Sequence, residues 1–380
     1  MSKTSYFDSL TGFRALAAGM VLLGHLAIKM NLGNFWYIKY GWTGVNLFFT
    51  LSGFLFTYLY FDKFVKRQQS VKEYVLKRVI RIYPLVIFLV LITVTTRAGY
   101  GKWDILSHFT LLHSYIKDFR YSINPPMWTL TVEESFYFIV PLLLVILNSI
   151  WQIHWFKTDK GRIVFIGAIL TFISFGLSNI GTQLVNLQYY FIGIWDKSFL
   201  TSTIFGRFYD FGVGMIAGLI FLKMPNSRIF MNKLTSNLIF LVGALVWFGG
   251  ALWIETHKGP DFKMETKLYQ YFFYLYSTGA ALMLLSLVGN SVFNKLFSWK
   301  PVVYLGKISF ALYLIQFMPI SGVRNLSLWI KHLFLELTHN EWFSVFATFG
   351  IIIILSAMVY HLVEMPSQKY LKKWLIPIKK

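Results

Sequence analysis

Residues 9–29 read SLTGFRALAAGMVLLGHLAIK, an apolar run interrupted by Arg14 and His25. A helix needs roughly 20 residues to cross about 30 Å of hydrocarbon, which is the length of this run. Nine more runs of that kind follow, at about 43–61, 79–97, 128–150, 163–180, 203–222, 237–254, 269–289, 303–320 and 342–363. Composition agrees with them: of 380 residues, 56% are hydrophobic, 19% aromatic and 14% charged, whereas a soluble domain carries about 25% charged residues. The expected fold class is all-α, a polytopic transmembrane helix bundle of about ten helices. The chain reads as one integral membrane domain over 1–380, with no soluble domain appended. Arg14 breaks the first run and no small-residue cleavage site follows it cleanly, so that run is expected to be a retained helix and not a signal peptide.

Lys and Arg number 36 against 16 Asp and Glu, a formal net charge of +20. In a soluble protein such an excess points to nucleic acid. In a polytopic protein it points to the enrichment of Lys and Arg on the cytoplasmic side. The positions of the charges separate the two. With the N-terminus inside, segments 1–8, 62–78, 151–162, 223–236, 290–302 and 364–380 are cytoplasmic and hold twenty Lys and Arg. The outer loops 30–42, 98–127, 181–202, 255–268 and 321–341 hold ten. Both termini are therefore expected in the cytoplasm, and nucleic acid drops out as a partner. The absence of cysteine excludes disulfides, thiolate metal sites and a cysteine nucleophile, and no metal site is expected.

Ionisable groups inside a membrane are costly and mark function by default. Those within or at the edge of the runs are Arg14, His25, Arg81, Glu133, Glu134, Arg207, Asp210 and Lys307. Arg14 and His25 are eleven residues apart, close to three full helical turns, so they share a face about 16 Å apart along the axis. An arginine suits a phosphate or carboxylate. A histidine suits proton removal from a hydroxyl. The blander alternative is an arginine reaching for headgroups and a histidine packed in the bundle. Lys77, Arg78 and Arg81 follow the basic residues Lys63, Lys66, Arg67 and Lys72. Arg78 and Arg81 face similarly if helical, ready to grip a nucleotide phosphate. Glu133 and Glu134 lie inside the apolar run that begins at Trp128. One of them is placed to orient His25 or pair with an arginine; the alternative is an ion pair between helices. Arg207 and Asp210, three apart, read as a structural pair or cap. Asn124-Pro125-Pro126 is expected to stop any helix before the fourth run, and 103–115 is apolar enough for a short interfacial helix.

These stretches together resemble the acyltransferase family 3 integral membrane proteins. The family's first helix carries an arginine, ten intervening residues and a histidine, as Arg14 to His25 does. Its next blocks are similar to residues 44–54 (GVNLFFTLSGF), 78–84 (RVIRIYP), 128–137 (WTLTVEESFY), 305–314 (LGKISFALYL) and 363–366 (VEMP), in that order from residue 7 to about 373. Two positions depart from the pattern: Gln316 stands where the family often has histidine, and Asn46 where aspartate is frequent.

The resemblance implies a multi-pass protein of a bacterial-type inner membrane that moves an acyl group, usually acetyl, from cytoplasmic acyl-CoA to a hydroxyl of a carbohydrate or glycolipid. Acetyl-CoA is then a donor substrate and no cofactor is permanently bound. On that reading Arg14, Arg78, Arg81 and Lys77 hold the CoA phosphates. His25 is the general base, with Glu133, ahead of Glu134, fixing its tautomer or balancing its charge. Asn46, Ser52, Tyr137, Glu134 and Gln316 are candidates for acceptor or oxyanion contacts. Direct transfer and an acyl-histidine intermediate both remain open. The competing function is a transporter or flippase for a polar lipid or glycan, although no repeat relates the two halves of the chain.

Overall fold

The computed structural model describes residues 3–27, 33–64, 66, 68–153, 158–193, 195–196, 198–257, 267–318 and 325–376. Among these, every regular element is helical. In chain order they are α1 (Lys3–Leu26), α2 (Gly44–Tyr60), α3 (Val71–Thr96), α4 (Lys102–Phe109), α5 (Trp128–Trp151), α6 (Asp159–Ile192), α7 (Ile204–Lys223), α8 (Arg228–Met231), α9 (Lys233–His257), α10 (Lys267–Leu287), α11 (Val292–Phe297), α12 (Lys300–Lys307), α13 (Ser309–Ile315), α14 (Leu326–Thr338), α15 (Glu341–Val359) and α16 (Met365–Leu375). Short 3₁₀ stretches join some of them, and a π-helical stretch, Tyr360–Glu364, lies between α15 and α16.

Seven stretches among the described residues are long and apolar enough to cross a membrane: Asp8–Leu26, Val71–Thr96, Pro125–Trp151, Asp159–Phe191, Ile204–Lys223, Lys233–Thr256 and Glu341–Leu375. The chain is a multi-pass membrane protein. Large apolar side chains such as Phe172, Phe191, Leu245 and Phe346 stay exposed on these helices, as lipid-facing positions require. The other three apolar runs take different forms. Run 43–61 becomes α2, only 17 residues long and almost wholly buried. Run 269–289 falls on α10, whose apolar part is Phe272–Leu287. Run 303–320 is broken: α12 ends at Lys307, α13 starts at Ser309, and neither piece exceeds 8 residues.

The chain divides into two compact units. The first comprises 1–17, 43–68 and 138–306. Here α2 packs on α7 and α10, α6 packs on α7, and α9 packs on α10. Small residues let these backbones approach, as in other membrane bundles. A Cβ on Gly53 would overlap the Phe211 carbonyl, and one on Gly214 the Thr50 carbonyl. Inside this unit Arg207 pairs with Asp210 at 3.0 Å, as expected. Asn46 Nδ2 donates to Asp210 Oδ1 (3.3 Å) and to Ser277 Oγ (3.0 Å).

The second unit comprises 18–42, 69–137 and 307–380. In it α14 and α13 pack on α15, while α16 lies along α3. The start of α3 is set by Ser70, whose Oγ accepts from the Glu73 N–H at 3.1 Å, a helix cap. Lys77, Arg78 and Arg81 therefore sit within the first three turns of a helix and not in the preceding loop. Asn124 is extended, Pro125–Met127 forms one 3₁₀ turn, and α5 starts directly after it. The prolines open the helix, as their missing N–H groups allow.

Candidate functional site

The second unit holds two layers of candidate residues. The first is built around the C-terminal turn of α1. His25 lies one residue before its end, and its Nδ1 is 3.0 Å from Gln316 Oε1. The ring meets Phe317 edge-on, centroids 4.5 Å apart. Gln316 is the C-terminal cap of α13, and its amide nitrogen donates to the Tyr313 carbonyl at 2.8 Å. That carbonyl belongs to the last turn of α13, where backbone acceptors lack intrahelical partners. The Leu26 carbonyl at the end of α1 accepts from Lys331 Nζ at 2.9 Å, with Lys331 only 7% exposed. Asn124 Nδ2 donates to the Leu314 carbonyl at 3.0 Å, and the Tyr313 hydroxyl to the Pro126 carbonyl at 3.4 Å. Side chains from α13, α14 and the segment before α5 thus converge around the turn that carries His25.

The second layer lies further along α5, where Tyr137 is eleven residues, roughly 16 Å, from Pro126. The Arg78 guanidinium sits 5.6 Å from the centre of the Tyr137 ring and 5.8 Å from that of Tyr74, cation–π distances. The Tyr74 hydroxyl donates to the Tyr137 carbonyl at 3.1 Å. The Tyr137 hydroxyl donates to Glu133, and the Glu134 carboxylate feels the charges of Glu133 and Arg78. Arg81 acts electrostatically on Tyr137, and its guanidinium makes no hydrogen bond or ion pair with the described residues. Its carbonyl accepts from Gln368 Nε2 (3.4 Å), which also bonds the buried Glu364 at 3.1 Å. Lys77 is engaged elsewhere, 2.8 Å from Glu73.

Two of the expected site residues have partners of their own in the structure. Glu133, expected to fix the tautomer of His25 or balance its charge, accepts from the Tyr137 hydroxyl, and the group on His25 Nδ1 is the Gln316 amide. The cause is the broken run 303–320, which ends α13 beside α1 and sets its capping side chain against the imidazole. Gln316 was expected at the acceptor or oxyanion, and its amide is bonded at both ends, to Tyr313 and to His25. Of the remaining candidates, Asn46 and the buried Ser52 lie on α2 in the first unit, and Asn46 spends its amide on Asp210 and Ser277. Arg14, partly buried, lies in the portion of α1 that belongs to that unit.

One cluster has no counterpart in the sequence reading. Between α3 and α5, the buried rings of His108 and His113 stack 3.9 Å apart, 13° from parallel. His108 Nδ1 is 3.0 Å from the Asp104 carbonyl and 3.2 Å from its carboxylate, both acceptors, so that nitrogen carries a proton. Asp104 also accepts from Ser122 at 2.7 Å, and the buried Arg120 acts electrostatically on His113. Burial lowers both histidines; the neighbouring His108 and Arg120 push His113 lower still, while Asp104 opposes the shift on His108. The signal for this cluster lay in the amphipathic 103–115 stretch, where a histidine falls on a helix, α4, with an aspartate one turn before it. No group of three or more metal-binding side chains occurs among the described residues.

Comparison with known proteins bears on the same residues. A family model described as an acyltransferase domain matches residues 7–361. The chain is 24% identical over 335 residues to O-acetyltransferase OatA of Staphylococcus aureus (strain NCTC 8325 / PS 47), covering 83% of this chain and 50% of that one. It is 23% identical over 393 residues to the putative peptidoglycan O-acetyltransferase YrhL of Bacillus subtilis (strain 168), covering 95% and 55%. The chain spans about half the length of these curated relatives. No solved structure matches it.

Proposed function

The chain belongs to acyltransferase family 3, and from that membership we propose that it is a membrane O-acyltransferase, carrying an acetyl group from acyl-CoA to a hydroxyl of a cell-envelope glycan. The relatives named as O-acetyltransferases, one of them a putative peptidoglycan O-acetyltransferase, support the acetyl group and the glycan. The observation that carries the reading is the pair of layers in the second unit: a histidine with one ring nitrogen engaged by Gln316, and the arginine pair of α3, with Arg78 set against Tyr137, eleven residues beyond Pro126 in the chain. An acyl-CoA is a molecule of that kind, anionic phosphates at one end and a thioester at the other, joined by a long arm.

On this reading Arg78 and Arg81 hold the phosphates at the cytoplasmic mouth. The arm extends along the helices to His25. A glycan hydroxyl attacks the thioester carbonyl while His25 Nε2 takes its proton. The C–S bond then breaks, and the same proton passes to the departing thiolate, leaving an ester and free CoA. General-base catalysis of this sort contributes about 10²–10⁴-fold. The Tyr137–Glu133 pair holds the aromatic ring against which Arg78 rests.

The test uses purified protein in nanodiscs with acetyl-CoA and a peptidoglycan fragment. The chain has no cysteine, so a thiol reagent reports released CoA without protein background. His25→Ala should lower acceptor-dependent release about 100-fold or more with an unchanged melting temperature, and Arg81→Ala should raise KM for acetyl-CoA more than KM for the acceptor. Normal turnover by His25→Ala overturns the base assignment. Glycan movement across the membrane without acyl-CoA consumption favours transport instead.

A further inference from the structure

We propose that Gln316 is a positioning residue that holds His25 as the Nδ1–H tautomer and so makes Nε2 the proton-accepting nitrogen. The inference rests on the reading of His25 as general base, but its structural half stands without it. An amide side chain can present either its oxygen or its nitrogen to a neighbour. Here the choice is forced from the far side. The Tyr313 carbonyl accepts and cannot donate, so the NH₂ of Gln316 must face it, at 2.8 Å. Oε1 then faces His25 Nδ1 at 3.0 Å. An amide oxygen only accepts, so Nδ1 must carry a hydrogen, and in the neutral ring Nε2 is left with its lone pair. The order of cause runs from the early end of α13, to the exposed carbonyl of its last turn, to the amide that caps it, to the tautomer of a histidine 291 residues away in sequence.

Two further contacts keep the arrangement from slipping. Gln316 is fully buried, and its own carbonyl accepts from the Ser327 N–H at 3.0 Å, which ties the cap to the start of α14. Phe317 stands edge-on to the imidazole, ring centroids 4.5 Å apart, and packs the ring in place on that side. The partner is also uncharged. A carboxylate at this place would favour the imidazolium in addition to orienting the ring; glutamine orients the ring without drawing a proton onto it. A base that must stay unprotonated until a hydroxyl arrives is served by that difference.

The experiment reads the tautomer directly. ¹⁵N-histidine-labelled protein in nanodiscs is studied by NMR, with His25→Ala identifying the His25 resonances among the 8 histidines. Nδ1 should be the protonated nitrogen and Nε2 the bare one in the parent protein. In Gln316→Leu the two tautomers should mix, kcat should fall about tenfold or more, and KM for acetyl-CoA should stay within about twofold. In Gln316→Glu the Nδ1–H tautomer should persist, and the acidic limb of the kcat/KM profile should move to higher pH. The glutamate variant carries the test if the leucine variant fails to fold. A parent protein with the proton on Nε2 overturns the proposal, as does an unchanged tautomer in Gln316→Leu or an unmoved pH profile in Gln316→Glu. Should the tautomer be as stated while His25→Ala turns over normally, the positioning stands and the acyl-transfer reading of His25 falls.

Discussion

A buried imidazole is tolerated most easily while neutral, and His108 and His113 are two such rings face to face. Charging either one removes a cation from water, and charging both sets like charges 3.9 Å apart. Burial, the larger cause for each, lowers both below the ordinary value of 6.5. The unfolded chain therefore binds protons below about pH 6.5 that the folded chain does not accept. Stability is full above that pH and is lost as pH falls toward the folded values. Melting followed by tryptophan fluorescence, the chain having 13 Trp, should show the midpoint falling between pH 7 and pH 5. His108→Gln/His113→Gln, which cannot titrate, should remove most of that slope; a double variant with the parent's slope refutes the assignment. Asp104 and Arg120 do not offset this effect: Asp104 opposes the shift on His108 without reversing it, and Arg120 adds to it at His113.

At the scale of elements, the turn bearing His25 is held by backbone contact as well as by side chains. The 3₁₀ stretch Gly33–Thr43 crosses α1 where Gly41 meets Gly24: a Cβ on Gly41 would overlap the Met20 carbonyl and crowd the Gly24 backbone. Gly41→Ala should cost about 1–3 kcal/mol, the usual range for overpacking, and should reduce kcat by moving the His25 turn. Gly101→Ala, with open space around it, should change neither melting temperature nor rate. Most of the elements themselves were legible in the sequence, because length and apolarity alone decide a membrane helix. Run 79–97 lacked its first two turns because the Ser70 cap precedes a polar, basic stretch that hydropathy passes over. Run 303–320 looked continuous, yet the chain breaks at Ile308, and apolarity carries no mark of such a break. The residues of the site were legible as costly charges in an apolar setting. Their partners were not: which side chain meets His25 depends on where α13 stops, 291 residues away. Polar contact between distant helices leaves no local periodicity, so the Gln316 amide on His25 could not be read from the sequence.

For the whole molecule the open quantity is parity. The seven long apolar stretches among the described residues would, by themselves, leave the termini on opposite sides, whereas the bias of twenty Lys and Arg against ten points to an even number with both termini inside. An even number would need a further crossing from the elements too short to count alone: α2 with 17 residues, the apolar Phe272–Leu287 of α10, and the broken pair α12–α13. Short or interrupted helices at membrane depth are tolerated when buried by protein, and α2 and α13 are buried along most of their length. The chain's lack of cysteine makes the count measurable with single-cysteine variants. Asp8→Cys, Lys117→Cys and Lys373→Cys place a thiol at three exposed positions. In intact cells a membrane-impermeant maleimide should label Lys117→Cys alone, and Asp8→Cys and Lys373→Cys only after permeabilisation. Labelling of Lys373→Cys from outside, with Asp8→Cys protected, would mean an odd number of crossings. The arginine pair and the C-terminal helix α16 packed along it through Gln368 and Arg81 would then face away from a cytoplasmic donor, and the acyl-CoA route would fail with the topology.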